Sequence, residues 1–305
     1  MDIEINNLSV SFGASRVLRG ANLSLRQGEI TALVGESGSG KSILGAAVMG
    51  LLPAEAVVSG HIFYGGKDLL SLADAEMEAV RGKEIGWIAQ DPISAMDPLY
   101  PVGRQVMERE RFDHPAGRKE ERKRGIFQLF RFGLPQAEEV YDMKPHELSG
   151  GMAQRVMAAM MAMPRPSWLI ADEPTKGLDA FVRREVCDVF RKLKEEGIGF
   201  LLITHDLRLA ERLADETVII YAGEIVEKGP TKEIFSHPFH PYTVSFFDAS
   251  PRRFLRPIPG APPDLSMLSG GCIFKERCPY TVCEGKAEGR EIFGHWVKCH
   301  HGERR

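Results

Sequence analysis

Gly35-Glu36-Ser37-Gly38-Ser39-Gly40-Lys41-Ser42 sits between Ile30-Thr31-Ala32-Leu33-Val34, an apolar run typical of a short buried strand, and Ile43-Leu44, which opens a segment that reads as a helix. Strand, glycine loop and helix in that order are the context in which this spacing binds phosphate. The glycines let successive backbone N–H groups turn inward, and the helix N-terminus adds the positive end of a dipole. Lys41 supplies a point charge and Ser42 a hydroxyl suited to Mg²⁺. Gly35, Ser37, Gly38, Gly40, Lys41 and Ser42 are therefore candidate ligands for the polyphosphate of ATP or GTP.

Working outward, apolar residues alternate with polar ones at Ile3, Ile5, Leu8 and Val10, then recur at Val17, Leu18, Leu23 and Leu25. Gly13, Gly20 and Gly28 stand at the turns, which predicts an antiparallel β layer ahead of the loop. Buried-strand runs follow at Ile85-Gly86-Trp87-Ile88, Trp168-Leu169-Ile170-Ala171, Phe200-Leu201-Leu202-Ile203 and Thr217-Val218-Ile219-Ile220. Helical patterns such as residues 180–196 lie between some of them. Strands alternating with helices predict an α/β fold with a largely parallel sheet. Between about Asp91 and Met163 the pattern turns helical and charge-rich, as in a subdomain inserted into the sheet. The Lys- and Arg-rich part of it, residues 109–131, is interspersed with Glu120 and Glu121 and reads as a solvated helix face.

The strand at Trp168 ends in Asp172-Glu173-Pro174. Ligands of open α/β sheets gather at the C-terminal ends of strands, and side chains alternate, so the two acids take different directions. Asp172 is then placed for the Mg²⁺ shell, and Glu173 for polarising a water that attacks the γ-phosphate.

With 305 residues, 43% hydrophobic and 27% charged, the chain has an ordinary globular balance. Lys and Arg number 39 against 42 Asp and Glu, a net charge of −3 that gives no general reason to bind nucleic acid. Met1-Asp2-Ile3-Glu4 lacks the features of a secretory signal, and no uncharged apolar run reaches the roughly 18 residues of a membrane span. A cytoplasmic chain that does not itself cross a membrane is the expectation.

Leu148-Ser149-Gly150-Gly151-Met152, lying shortly before the acidic strand, resembles the signature of ATP-binding cassette (ABC) ATPases. Gln90 after an apolar strand resembles that family's Q-loop, Gly177-Leu178-Asp179 its D-loop and His205 its switch histidine, while Phe12 matches the aromatic position that stacks on adenine. The resemblance implies a P-loop NTPase core of the ABC type, with Lys41, Gln90, Glu173 and His205 as catalytic residues. It also implies Ser42, Gln90 and Asp172 around Mg²⁺. Ser149, Gly150 and Gly151, at a helix start, would form a second anion site that closes over the nucleotide of another ABC ATPase subunit, in a homo- or heterodimer. Met152 stands where many members have Gln, and Lys176-Gly177 replaces the more usual Thr or Ser with Ala; neither change removes a catalytic group.

Outside these motifs, Asp91-Pro92-Ile93-Ser94-Ala95-Met96-Asp97-Pro98, His237-Pro238-Phe239-His240-Pro241-Tyr242-Thr243 and Cys272-Ile273-Phe274-Lys275-Glu276-Arg277-Cys278-Pro279 resemble the peptide and nickel importer ATPases of bacteria and archaea. That resemblance implies a motor on the cytoplasmic face of the membrane, beneath two permeases fed by an extracytoplasmic solute-binding protein. The cargo would be dipeptides or oligopeptides, alternatively nickel or a metal chelate. A soluble non-transport ABC ATPase is the third reading, although such proteins usually carry two cassettes or a long coiled coil.

The expected organisation is an ABC core over residues 1–90 and 164–235, an inserted helical subdomain over 91–163, and a small Cys-rich C-terminal module over 236–305, entered by a Pro-rich connector at residues 250–263. Cys272, Cys278, Cys283 and Cys299 contain no CxxC pair, so the paired spacing of a zinc ribbon is not met. The family resemblance implies a [4Fe-4S] cluster on them; zinc with help from His295, His300 or His301, or no metal at all, are the alternatives. Cys187, on a helical stretch, reads as a buried small hydrophobe.

Overall fold

The computed structural model describes residues 1–250, 254–268, 270–280, 285 and 287–300. The chain forms two compact units, Met1–Leu72 with Leu202–Arg305, and Ala73–Leu201.

The first unit opens with the antiparallel pair β1 (Ile3–Phe12) and β2 (Ser15–Leu25), in register from Ile3 opposite Leu25 to Phe12 opposite Ser15. The sequence alternation buries Ile3, Ile5, Leu8, Val10, Leu18, Leu23 and Leu25. All five residues of β3 (Ile30–Val34) are buried, as a strand covered on both faces requires. α1 (Lys41–Val48) follows the glycine loop. The chain then turns at Gly50, whose φ is 59°, and enters β4 (Ala56–Tyr64), which pairs with β1, and β5 (Lys67–Asp68). The result is a four-stranded antiparallel layer, β2-β1-β4-β5, in which β4 and β5 join the β1–β2 pair.

The second unit contains α2 (Asp74–Val80) and β6 (Ile85–Ile88), then a helical run of α3 (Pro92–Ala95), α4 (Val102–Val106), α5 (Glu108–Asp113), α6 (Arg118–Arg131), α7 (Ala137–Asp142) and α8 (Gly150–Ala162). β7 (Trp168–Asp172) lies parallel to β6, with Ile85 opposite Trp168 and Ile88 opposite Ala171, and is buried along its whole length. α9 (Ala180–Glu195) has an apolar face of Val186, Cys187, Val189, Phe190 and Leu193, so Cys187 is a core residue. β8 (Gly199–Thr204) then carries the chain back into the first unit.

There, α10 (Leu207–Leu213) leads to β9 (Glu216–Tyr221), parallel to β3, and to β10 (Glu224–Pro230), antiparallel to β9. α11 (Thr231–Ser236) and α12 (Pro241–Asp248) follow. The hairpin of β11 (Gly289–Ile292) and β12 (His295–Lys298) adds to the free edge of β10, with Val297 opposite Glu227. Glu227 is fully buried; its carboxylate accepts the Phe239 N–H at 2.8 Å and the His240 N–H at 3.0 Å, and His295 Nδ1 lies 3.4 Å away. A buried carboxylate so surrounded has its lone pairs occupied, and it fixes the segment before α12 against the sheet.

Residues 236–305 do not gather their described cysteines into one group. Cys272 and Cys278 are half-buried against the cluster of Tyr221, Tyr242 and Phe274, whereas Cys299 is buried with Ile292 and Val297. The reason lies in the hairpin: β12 is committed to β10, and Cys299 follows it into that separate apolar cluster. Cys283 and His301 lie outside the described residues. Among the described residues no three His, Cys, Asp or Glu side chains form a group able to hold a metal.

Candidate functional site

The sequence-derived residues fall on both units. Phe12, the glycine loop and His205 belong to the first; Gln90, Ser149, Gly150, Gly151, Asp172 and Glu173 belong to the second.

The loop in the first unit is shaped by what surrounds it. Gly40, at φ 98°, is the residue before α1, and a Cβ there would stand 2.8 Å from the Val17 carbonyl oxygen. A Cβ on Gly35 would stand only 2.2 Å from the Ile220 carbonyl oxygen. Gly38, at φ 78°, faces open space, so its requirement is conformational alone. The turn between β9 and β10 braces the loop, because Gly223 N–H donates to the Ser39 carbonyl at 3.1 Å while the Gly223 carbonyl accepts the Arg19 N–H at 2.9 Å. Lys41, only 7% exposed, donates from Nζ to the Gly35 carbonyl at 2.9 Å and to the Glu36 carbonyl at 2.8 Å. Ser37, Gly38 and Ser42 are exposed at the mouth of the loop. Backbone N–H groups, a helix N-terminus and an ammonium within one eight-residue loop suit a polyphosphate.

The loop has a second set of supports that the sequence reading did not identify. Glu36 N–H donates to the Tyr242 hydroxyl at 2.9 Å, and the Glu36 carboxylate accepts two bonds from the Arg277 guanidinium, at 2.8 and 3.1 Å. Arg277 also donates from Nε to the Pro259 carbonyl at 2.8 Å and from Nη1 to the Tyr221 hydroxyl at 3.3 Å. Desolvation works against the charge on Arg277, yet the bonds to Glu36 and Tyr221 hold its pKa above the ordinary value. Burial raises the Tyr242 hydroxyl well above its usual range, so it stays protonated. Tyr242 stands in the quoted His-Pro-Tyr segment and Arg277 between two quoted cysteines; the cysteines were the louder signal.

Phe12 ends β1 half-buried, opposite Ser15 and Ala56. His205 is exposed just beyond β8, followed by Asp206, whose side chain caps α10 by accepting the Arg208 and Leu209 N–H groups at 2.9 and 3.3 Å.

In the second unit, Asp172 is the last residue of β7 and 6% exposed. Glu173 comes next, half-buried, at φ 48°. A non-glycine residue in the left-handed region costs about 1–3 kcal/mol, a strain concentrated at functional sites. Gln90 is exposed two residues past β6, and Asp91 then caps α3 through Ser94.

Ser149 caps α8, its Oγ accepting the Met152 N–H at 3.3 Å, and Ser149 and Gly150 are exposed. The structure brings this signature beside the D-loop segment. A Cβ on Gly151 would stand 2.3 Å from Val182 Cγ1, and Asp179 caps α9 by accepting the Phe181 and Val182 N–H groups at 2.9 and 3.0 Å. Gly151 is thus needed for the close packing of α8 on α9, a demand separate from any anion. An exposed N-terminus on a 13-residue helix can receive a phosphate.

Two family models match the chain: "ABC transporter" over residues 18–176, and "Oligopeptide/dipeptide transporter, C-terminal region" over residues 226–284. The dipeptide transport ATP-binding protein DppD of Bacillus subtilis is 38% identical, over 97% of this chain and 93% of that protein. DppD of Escherichia coli is 36% identical over 98% and 96%, and the oligopeptide transport ATP-binding protein OppD of B. subtilis is 40% identical over 92% and 82%. Among solved structures, the ATP-binding cassette MJ0796, in a dimeric post-hydrolysis state bound to ADP and Pi, matches 75% of this chain and 98% of its own at a TM-score of 0.67 and 26% identity. CbiO1 of Clostridium perfringens, part of the ABC transporter complex cbiONQ, matches 83% and 96% at 0.66 and 27%.

Proposed function

Because the chain belongs to the ABC transporter family of ATPases and carries the C-terminal region of oligopeptide and dipeptide transporters, we propose that it is the ATP-hydrolysing motor of a peptide importer. The observation that carries this is the combination of the phosphate loop at Gly35–Ser42 with the C-terminal region matched over residues 226–284. The loop N–H groups and Lys41 bind the polyphosphate, and Phe12 stacks on the adenine. The Ser42 hydroxyl of the first unit, and the Gln90 amide oxygen and Asp172 carboxylate of the second, are the oxygen donors that would hold Mg²⁺, which would neutralise phosphate charge. Glu173 orients and polarises the attacking water, and His205 contributes a hydrogen bond to the γ-phosphate.

The signature at Ser149, Gly150 and Gly151 serves the nucleotide of a second subunit, so ATP is the ligand that closes a head-to-tail dimer, and closure drives permeases in the membrane. Dimerisation is the state named for the MJ0796 cassette. No helix among the described residues is long and apolar enough to cross a membrane, which fits a subunit that docks on permeases at the cytoplasmic face. An extracytoplasmic binding protein would deliver the peptide. The iron–sulfur reading rests on cysteine spacing and resemblance alone, and no cluster enters this proposal.

The test is ATP hydrolysis by the chain reconstituted with its co-purifying permeases in liposomes. Hydrolysis stimulated by peptide-loaded binding protein and lost in Glu173→Gln is expected. Stimulation by nickel but not peptide would overturn the cargo, and full activity in Glu173→Gln would overturn the role of that carboxylate.

A further inference from the structure

We propose that Arg277 and Tyr242 are positioning residues of the nucleotide site, a latch by which the C-terminal region sets the phosphate loop through Glu36. The inference rests on reading Gly35–Ser42 as the nucleotide loop. Glu36 is the second residue of that loop and is held at two points: its N–H by the Tyr242 hydroxyl and its carboxylate by a two-pronged bond from Arg277. Its third polar group, the main-chain carbonyl, accepts from Lys41 Nζ at 2.8 Å. Glu36 therefore links the tail directly to the cation that meets the phosphates.

Several features mark this as a built latch and not a surface ion pair. The Arg277 side chain is 5% exposed and that of Glu36 23%, and all the bonds fall between 2.8 and 3.3 Å. Arg277 is oriented by Pro259 and Tyr221 as well as by Glu36, with its guanidinium 5.7 Å from the Tyr221 ring centroid. Tyr221 and Tyr242 pack at 4.5 Å between centroids, and Phe274 meets Tyr221 edge-on at 5.2 Å, so the two hydroxyls belong to one aromatic cluster. The partners are 206 and 241 residues from Glu36 along the sequence, so the tail must be docked for the contacts to exist. A lone carboxylate one residue from a triphosphate would repel it; the fixed guanidinium neutralises that charge while leaving Lys41 to the nucleotide. The tail is thus a structural condition for an anion-ready loop.

The experiment measures equilibrium binding of a fluorescent, non-hydrolysable ATP analogue to the full-length chain, together with thermal stability, for wild type, Arg277→Gln, Tyr242→Phe, Glu36→Gln and the double variant Glu36→Gln/Arg277→Gln. Lys41→Ala serves as the control for the site itself. Removing one member of a charged hydrogen-bonded pair should raise Kd by about tenfold in Arg277→Gln. The double variant should bind more tightly than Arg277→Gln, since Glu36 no longer leaves an uncompensated charge beside the phosphates. Arg277→Lys should recover part of the affinity. Unchanged Kd in Arg277→Gln and Tyr242→Phe, whether or not their melting temperatures fall, would overturn the latch. Equal binding by wild type and Lys41→Ala would instead overturn the nucleotide loop, and the latch with it.

Discussion

At Glu173 the backbone itself carries information, because φ 48° is a conformation that a glutamate adopts only when its surroundings enforce it. Glu173→Gln keeps that backbone and the side-chain volume while removing the charge. Hydrolysis is therefore expected to fall by roughly 10²–10⁴-fold, the range for loss of a general base, with nucleotide binding retained. A single-turnover assay beside a binding titration checks both halves. Gly35→Ala should act on the other side of the split. Its Cβ would enter the Ile220 carbonyl at 2.2 Å, so loop geometry and binding fail together, and a titration with the ATP analogue reads the loss. The residue types in the loop and at Asp172-Glu173 were legible because phosphate and metal chemistry demand them at fixed spacing. Glu36 and Arg277 were not, since nothing local in the sequence tells a glutamate in a glycine loop that its partner lies 241 residues away.

α12 shows how an element can be set by one titratable side chain. His240 caps it, its Nδ1 accepting the Tyr242 N–H at 3.0 Å, which requires the ring to be neutral at that nitrogen. Burial pushes the His240 pKa down to about 4, with Glu227 opposing and Lys298 assisting. Because the folded value lies below the ordinary 6.5, the unfolded chain takes up the proton first. The stabilisation is then complete above about pH 6.5 and is lost as pH falls toward 4, by about 3 kcal/mol for a shift of this size. Chemical denaturation of wild type and His240→Asn between pH 7 and 4 should show the steeper loss in wild type; parallel curves would contradict it. α8 offers a packing counterpart. Gly151→Ala places a Cβ 2.3 Å from Val182 and should destabilise the second unit by about 1–3 kcal/mol, the cost of overpacking, read as a lower denaturation midpoint. Of the elements, β1, β2, β3 and β6 to β9 could be read from alternation or apolar runs. β12 could not, since four residues reading His-Trp-Val-Lys become a strand only by pairing with β10, some 70 positions earlier.

Across the whole molecule, the readable and unreadable parts divide by how far apart the interacting residues lie. The glycine loop, the acidic strand end and the capped signature helix are local constructions, and their chemistry is legible in the sequence. The docking of the C-terminal region on the phosphate loop is non-local, and it changes the meaning of the tail: the Cys272–Cys278 segment matters here for the arginine between the cysteines. Family membership then joins the parts into a motor, with hydrolysis on this chain and translocation on its partners. The most direct measurement is uptake of a labelled dipeptide by host cells lacking this subunit, complemented with wild type or with Glu173→Gln. Uptake restored by wild type and not by Glu173→Gln is the outcome expected of a peptide-import motor. Uptake restored equally by both, or by neither while nickel accumulation returns with wild type, would contradict it.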